Sequence, residues 1–168
     1  VGVEVENQKK IDQILIELDG TKQKKRIGAN AILSVSLASN KASAISKKIS
    51  LFENLGNNRT LPYPLMNIIN GGVHANNSLQ IQEFMIRPDK AKSFKEAVNI
   101  CFLVIKKLSF FINKKNLSTS VGDEGGFAPS LHSNEEAIEL ILESIDKAGF
   151  KAGIDVSICL DIAANELF

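Results

Sequence analysis

Glu83, Glu124 and Asp161 each belong to a short apolar run that gives way to glycine and polar residues. Apolar runs of this length read as buried strands, and the polar clusters beside them as the loops at strand ends. In parallel α/β folds chemistry collects at the carboxyl ends of strands. Three such ends therefore predict one acidic site assembled from distant segments. Carboxylates gathered in this way can hold a hard cation such as Mg²⁺ through oxygen. They can also exchange protons, when burial or a second carboxylate keeps one of them protonated near neutral pH. Asp161 ends an alternating run, with the alternative that it caps a following helix. Glu124 lies between Gly122-Asp123 and Gly125-Gly126, where small neighbours let a carboxylate enter a site; the alternative is a water-exposed loop carboxylate. His74 stands in Gly71-Gly72-Val73-His74-Ala75-Asn76-Asn77, a composition suited to a loop that closes over a substrate; the alternative is a solvated loop side chain. Gln82 and Glu83 are adjacent, so a regular strand sends them to opposite faces. Both can line one site only at a strand end or a bulge.

The elements that must carry these residues are legible from local pattern. Ile11, Ile14, Leu15 and Leu18 recur at helical spacing, and Gly20 follows as a stop. Ala31, Val35, Ala38, Ala42 and Ile45 mark one face of a second helix closing at Lys47-Lys48, its small residues suited to close packing. The basic run Lys22–Arg26 reads as a solvated loop. Asn54–Arg59 is turn chemistry, and Pro62 and Pro64 stiffen the segment after it. This divides the chain into residues 1–59, helical, and 60–168. In the second part Pro64–Asn70 and Ile81–Ile86 are predicted strands. Ser93 with Glu96, and Ser133 with Glu136, have capping-box spacing ahead of helical periods. Ile154, Val156, Ile158 and Leu160 alternate with Asp155, Ser157 and Cys159 as a further strand. Strand–helix alternation favours a parallel sheet, which makes the fold class α/β.

Composition excludes several classes. Of 168 residues, 44% are hydrophobic and 23% charged, as in an ordinary globular chain. Twenty basic against nineteen acidic residues give no electrostatic case for nucleic acid, and no run reaches the ~18 apolar residues of a membrane span. Cys101 and Cys159 sit in apolar runs without metal spacing and read as reduced thiols. The expected compartment is the cytoplasm. His132 belongs to no motif. Phosphate-loop, dinucleotide, zinc-protease and nucleophile-elbow signatures are absent from the sequence.

Asn70–Asn76, Gln82–Ile86, Gly122–Pro129 and Leu160–Ala164, with Gly28–Leu33 nearer the start, closely resemble the enolase family in order and spacing. The resemblance implies the first part of an enolase-type (α/β) barrel after the last helices of a smaller α+β domain. It implies reversible dehydration of 2-phosphoglycerate to phosphoenolpyruvate. Glu124 is then the general acid with Glu83 beside it, His74, Gln82 and Glu83 contact substrate, and Asp161 is one of three carboxylate ligands of Mg²⁺. The family's catalytic Lys, two further metal carboxylates and phosphate-gripping Arg and Ser match nothing here, and about 100 residues after Pro62 fall short of the roughly 250 of a barrel. The chain is therefore expected to be inactive alone, a part of a longer protein that forms homo-oligomers; the alternative is a non-catalytic remnant or binding fragment. Asn165 and Leu167 depart from the Ser and aromatic residues of many members.

Overall fold

The computed structural model describes residues 2–56 and 58–167, the side chain of Leu167 excepted. Asn57, within the predicted turn, and the Leu167 side chain thus lie outside the described residues. The chain divides into two units, Val1–Thr60 and Leu61–Phe168.

The first unit contains helices α1 (Gln8–Asp19), α2 (Ala29–Lys47) and α3 (Leu51–Leu55). Asn7 Oδ1 accepts from the Lys10 amide to start α1, and Gly20, at φ 68°, ends it. Asp19 then anchors the following basic loop, its carboxylate accepting from the backbone N–H of Thr21, Arg26 and Ile27. The short α3 was not expected from the turn composition; a Ser50–Glu53 capping box holds it. The packed face of α2 also differs from expectation. Val35 and Ile45 are exposed, while Asn40, Ser43 and Ala44 are buried. Polar groups direct this docking: Gln8 Nε2 donates to the Ser36 carbonyl, and Asn54 Nδ2 to Asn40 Oδ1.

The second unit has strands β1 (Met66–Asn70), β2 (Glu83–Arg87) and β3 (Ser157–Asp161), with helices α4 (Phe94–Lys114) and α5 (Asn134–Lys147) between the last two. Ser93 and Ser133 cap the helices by accepting from the Glu96 and Glu136 amides. The sheet runs β1-β2-β3, and both pairings are antiparallel. This corrects the parallel expectation. No α-helix separates β1 from β2, so the chain turns back through a loop, and two successive helices return it to β3 in reverse direction.

Phe84 and Ile86 of β2 are fully buried with Ile100, Val104, Leu108, Ile141 and Ile145 of α4 and α5, which makes one sheet face the core. The other face carries Glu83, Arg87, Ser157 and Asp161 beside the pair Met85 and Cys159. A bulge in β1 decides its composition, because Asn67 pairs with Met85 and Asn70 with Glu83, leaving one extra residue between them. Asn67 and Asn70, three apart, therefore share the face of Glu83. Asp161, opposite Glu83 in β3, joins them.

Candidate active site

Glu83 opens β2, whereas Asn70 and Asp161 close β1 and β3. Reversal of β2 nevertheless puts all three at one end of the sheet, in register. The expected carboxyl-end location holds for Asp161 and is corrected for Glu83. Gln82 lies just before β2, its N–H donating to the Asp161 carbonyl and its carbonyl accepting from Gly71. The strand-end condition for two adjacent site residues is thereby met.

Glu124 arrives from the free edge of β1. Phe127 N–H donates to Ile68, and Asn70 N–H donates to Phe127, both at 2.9 Å, so the Val121–Phe127 loop runs as an edge rung. Asn70 Nδ2 donates to the Gly126 carbonyl at 3.0 Å. A side chain at Gly122 would overlap the Asn70 amide, which gives glycine a steric reason at that position.

His74 ends a single 3₁₀ turn, Gly72–His74. The loop carrying it is tied down by Asn77, whose Nδ2 donates to the carbonyls of Asn70 and Pro129, and by Ser78, which donates to Leu131. His74 Nδ1 reaches 3.3 Å from Glu124 Oε2 but lies outside hydrogen-bond geometry, and it is buried without a partner. Ligand atoms of His74, Glu83 and Glu124 all lie within 4.8 Å of one another. A cavity of about 400 Å³ adjoins them, lined by Val73, His74, Gln82 and residues 163–166.

The two glutamates are not equivalent. The Glu124 carboxyl beside it, partial burial and the charges of Glu124 and Asp161 push Glu83 above the ordinary carboxylate range, with His74 opposing. Glu124 is held below that range by Glu83, by the Asn67 amide and by His74. The two shifts run in opposite directions: the crowding disfavours charge on Glu83 and favours it on Glu124. The opposite directions have a physical cause: the Asn67 amide donates to Glu124, and the charge of Asp161 crowds Glu83.

Asp161 stands apart from the three-group cluster. Its Oδ1 accepts from the Ala163 N–H at 2.9 Å, and the residue is exposed. One oxygen is thus engaged by the backbone two residues on, ahead of the 3₁₀ segment Ala164–Leu167 and not as the cap of a helix. An exposed carboxylate oxygen fits a hard divalent cation, for which one or two carboxylates suffice beside other oxygen donors. The cluster of His74, Glu83 and Glu124, in which crowding disfavours charge on Glu83, fits it less well. His132 takes no part in the site; its backbone N–H donates to Glu136.

Sequence reasoning did not assign a site role to Asn67 or Asn70. Asn67 Nδ2 donates to Asn70 and, at 3.2 Å, to Glu124 Oε2. The available signal was two amides inside an otherwise apolar strand, where an unpaired polar group is disfavoured.

Comparison with known proteins agrees with this architecture. Residues 58–168 match the family model described as enolase, C-terminal TIM barrel domain, and residues 1–55 match enolase, N-terminal domain. A protein of Pelagibacter ubique (strain HTCC1062) named Enolase is 62% identical over 169 aligned residues, covering 99% of this chain and 40% of the relative. The chain thus spans 40% of the length of that curated relative.

Proposed function

Because the chain belongs to the enolase family, we propose that it carries part of the machinery for reversible dehydration of 2-phosphoglycerate to phosphoenolpyruvate. Its fold is the end of the N-terminal domain followed by the start of the C-terminal TIM barrel. In this reading residues 1–59 form the first part and 60–168 the second. The observation that carries the proposal is the convergence of Glu83, Glu124 and His74 at the strand end that also bears Asp161.

Glu83 and Glu124 act as one acid. Glu124 faces the departing hydroxyl and passes it the one proton of the pair, so that the hydroxyl leaves as water and both carboxylates are left ionised; the pair titrates as a unit. His74 and Gln82 line the adjoining cavity and orient the substrate. Asp161 would hold the metal, taken to be Mg²⁺, through its free oxygen. A cation bound there supplies positive charge where negative charge gathers on the substrate carboxylate. That superfamily members pair a basic side chain with magnesium is an established pattern rather than something read from this chain. No residue here matches the family's lysine base, so the complete reaction needs further polypeptide, within a longer protein that assembles with copies of itself. Free Cys101 and Cys159 support a reducing, cytoplasmic setting, and no helix among the described residues is long and apolar enough to cross a membrane.

The test is a chimera in which this chain replaces the matching segment of the Pelagibacter relative. Phosphoenolpyruvate formation from 2-phosphoglycerate with Mg²⁺ is expected, and Glu124→Gln or Asp161→Asn should reduce kcat by about 10²-fold or more, an order-of-magnitude figure for lost acid or charge stabilisation. The chain alone is expected to give no turnover. A folded but inactive chimera would favour the non-catalytic remnant and overturn the proposal.

A further inference from the structure

The Gly126 carbonyl can only accept a hydrogen bond, so the Asn70 side chain must turn its nitrogen toward it, as observed at 3.0 Å. Asn70 is fully buried, and its remaining oxygen is met by Asn67 Nδ2. The same Asn67 nitrogen donates to Glu124 Oε2 at 3.2 Å. Orientation thus passes from a backbone carbonyl through two amides to one carboxylate oxygen. Reversing the Asn67 amide would set its oxygen against two acceptors, Asn70 Oδ1 and Glu124 Oε2. The observed orientation leaves Asn67 Oδ1 buried without a partner, so Asn67 is held in this pose by its nitrogen alone.

We propose that Asn67 is a positioning residue for Glu124. It fixes Oε2 as an acceptor against β1 and leaves Oε1 as the oxygen that meets the reacting group. The proposal rests on the reading of Glu124 as part of the acid pair, but its geometry stands independently of turnover. The β1 bulge is what makes the device available, since a regular strand would turn Asn67 and Asn70 to opposite faces. A residue that merely filled the bulge would stabilise the sheet without affecting the freedom of the Glu124 side chain.

The test is side-chain NMR on the intact 168-residue chain, labelled at Glu and Asn. In the unsubstituted chain, three-bond couplings should report one Glu124 χ1 rotamer. The Asn67 amide protons should exchange at least about tenfold more slowly than those of exposed Asn58. In Asn67→Ala and Asn67→Asp, Glu124 should average over rotamers while the Asn70 and Phe127 backbone amides keep their protection. A single Glu124 rotamer persisting in either folded variant would overturn the proposal. Should both variants fail to fold, the unsubstituted chain still decides: an averaged Glu124 or a fast-exchanging Asn67 amide sinks it. None of these signals reads dehydration, so an inactive chimera with an ordered Glu124 would refute the proposed function alone.

Discussion

Glu83 and Asp161 are direct cross-strand partners, although Glu83 begins β2 and Asp161 ends β3. Antiparallel pairing turns the start of one strand into the neighbour of the end of another. Two carboxylates on one face of adjacent strands repel, and here a third, from Glu124, completes the crowd.

This crowding has a pH signature. Glu83 should titrate above Glu124 in ¹³C-detected carboxyl NMR, and Asp161→Asn should lower the Glu83 midpoint. Because the folded-state value of Glu83 is raised, its stabilising contribution is fully present below its unfolded value. It is lost as pH rises through the folded midpoint. Glu124 has the opposite sign: its contribution is present above the unfolded value and is lost as pH falls through its depressed midpoint. Glu124 titrating above Glu83 would refute this account of the crowding.

Gly122→Ala should detach the Val121–Phe127 loop from β1, since the added carbon overlaps the Asn70 amide. Forced overpacking of this kind destabilises by about 1–3 kcal/mol. Chemical denaturation would show the loss, with faster amide exchange at Asn70 and Phe127. An unchanged midpoint would mean that the loop yields at little cost.

In the first unit, Asp19 holds three backbone amides of the following loop and is almost fully buried, with 1% relative exposure. The Ile27 amide, foremost, together with Thr21 holds its carboxyl down to about 2. With the folded-state value depressed, the contribution is present above the unfolded value of about 4 and disappears as pH falls toward 2. Asp19→Asn should lower the unfolding midpoint at neutral pH and flatten its dependence on acid. Parallel acid curves for the two proteins would exclude Asp19 as the source.

Phe84 is fully buried between the sheet and the helices. Phe84→Ala should destabilise the second unit by about 3–5 kcal/mol, a large part of the stability of a small domain. Circular dichroism on heating should then show an early transition, whereas Phe84→Leu should keep most of the cooperative melt.

Most helices were legible because their signals are local. Gly20 after α1, the serines ahead of α4 and α5, and the apolar periods between them all act within one or two turns. The short α3 was hidden in turn-like composition, and only the reciprocal Ser50–Glu53 bonds reveal it. The buried face of α2 was misjudged because hydrogen bonds from Gln8 and Asn54, not hydrophobicity, chose it.

Local composition and period are enough to put Glu83, Glu124, His74 and Asp161 at strand ends and in glycine-rich loops, since both constrain the backbone over a few residues. Long-range pairing, by contrast, makes β2 run backwards and, through a bulge, turns Asn67 and Asn70 to one face. It also pushes Glu83 above the ordinary carboxylate range and Glu124 below it. Each of those outcomes depends on register between segments far apart in the chain. A one-residue shift in pairing sends a side chain to the opposite face, and no local pattern records that choice.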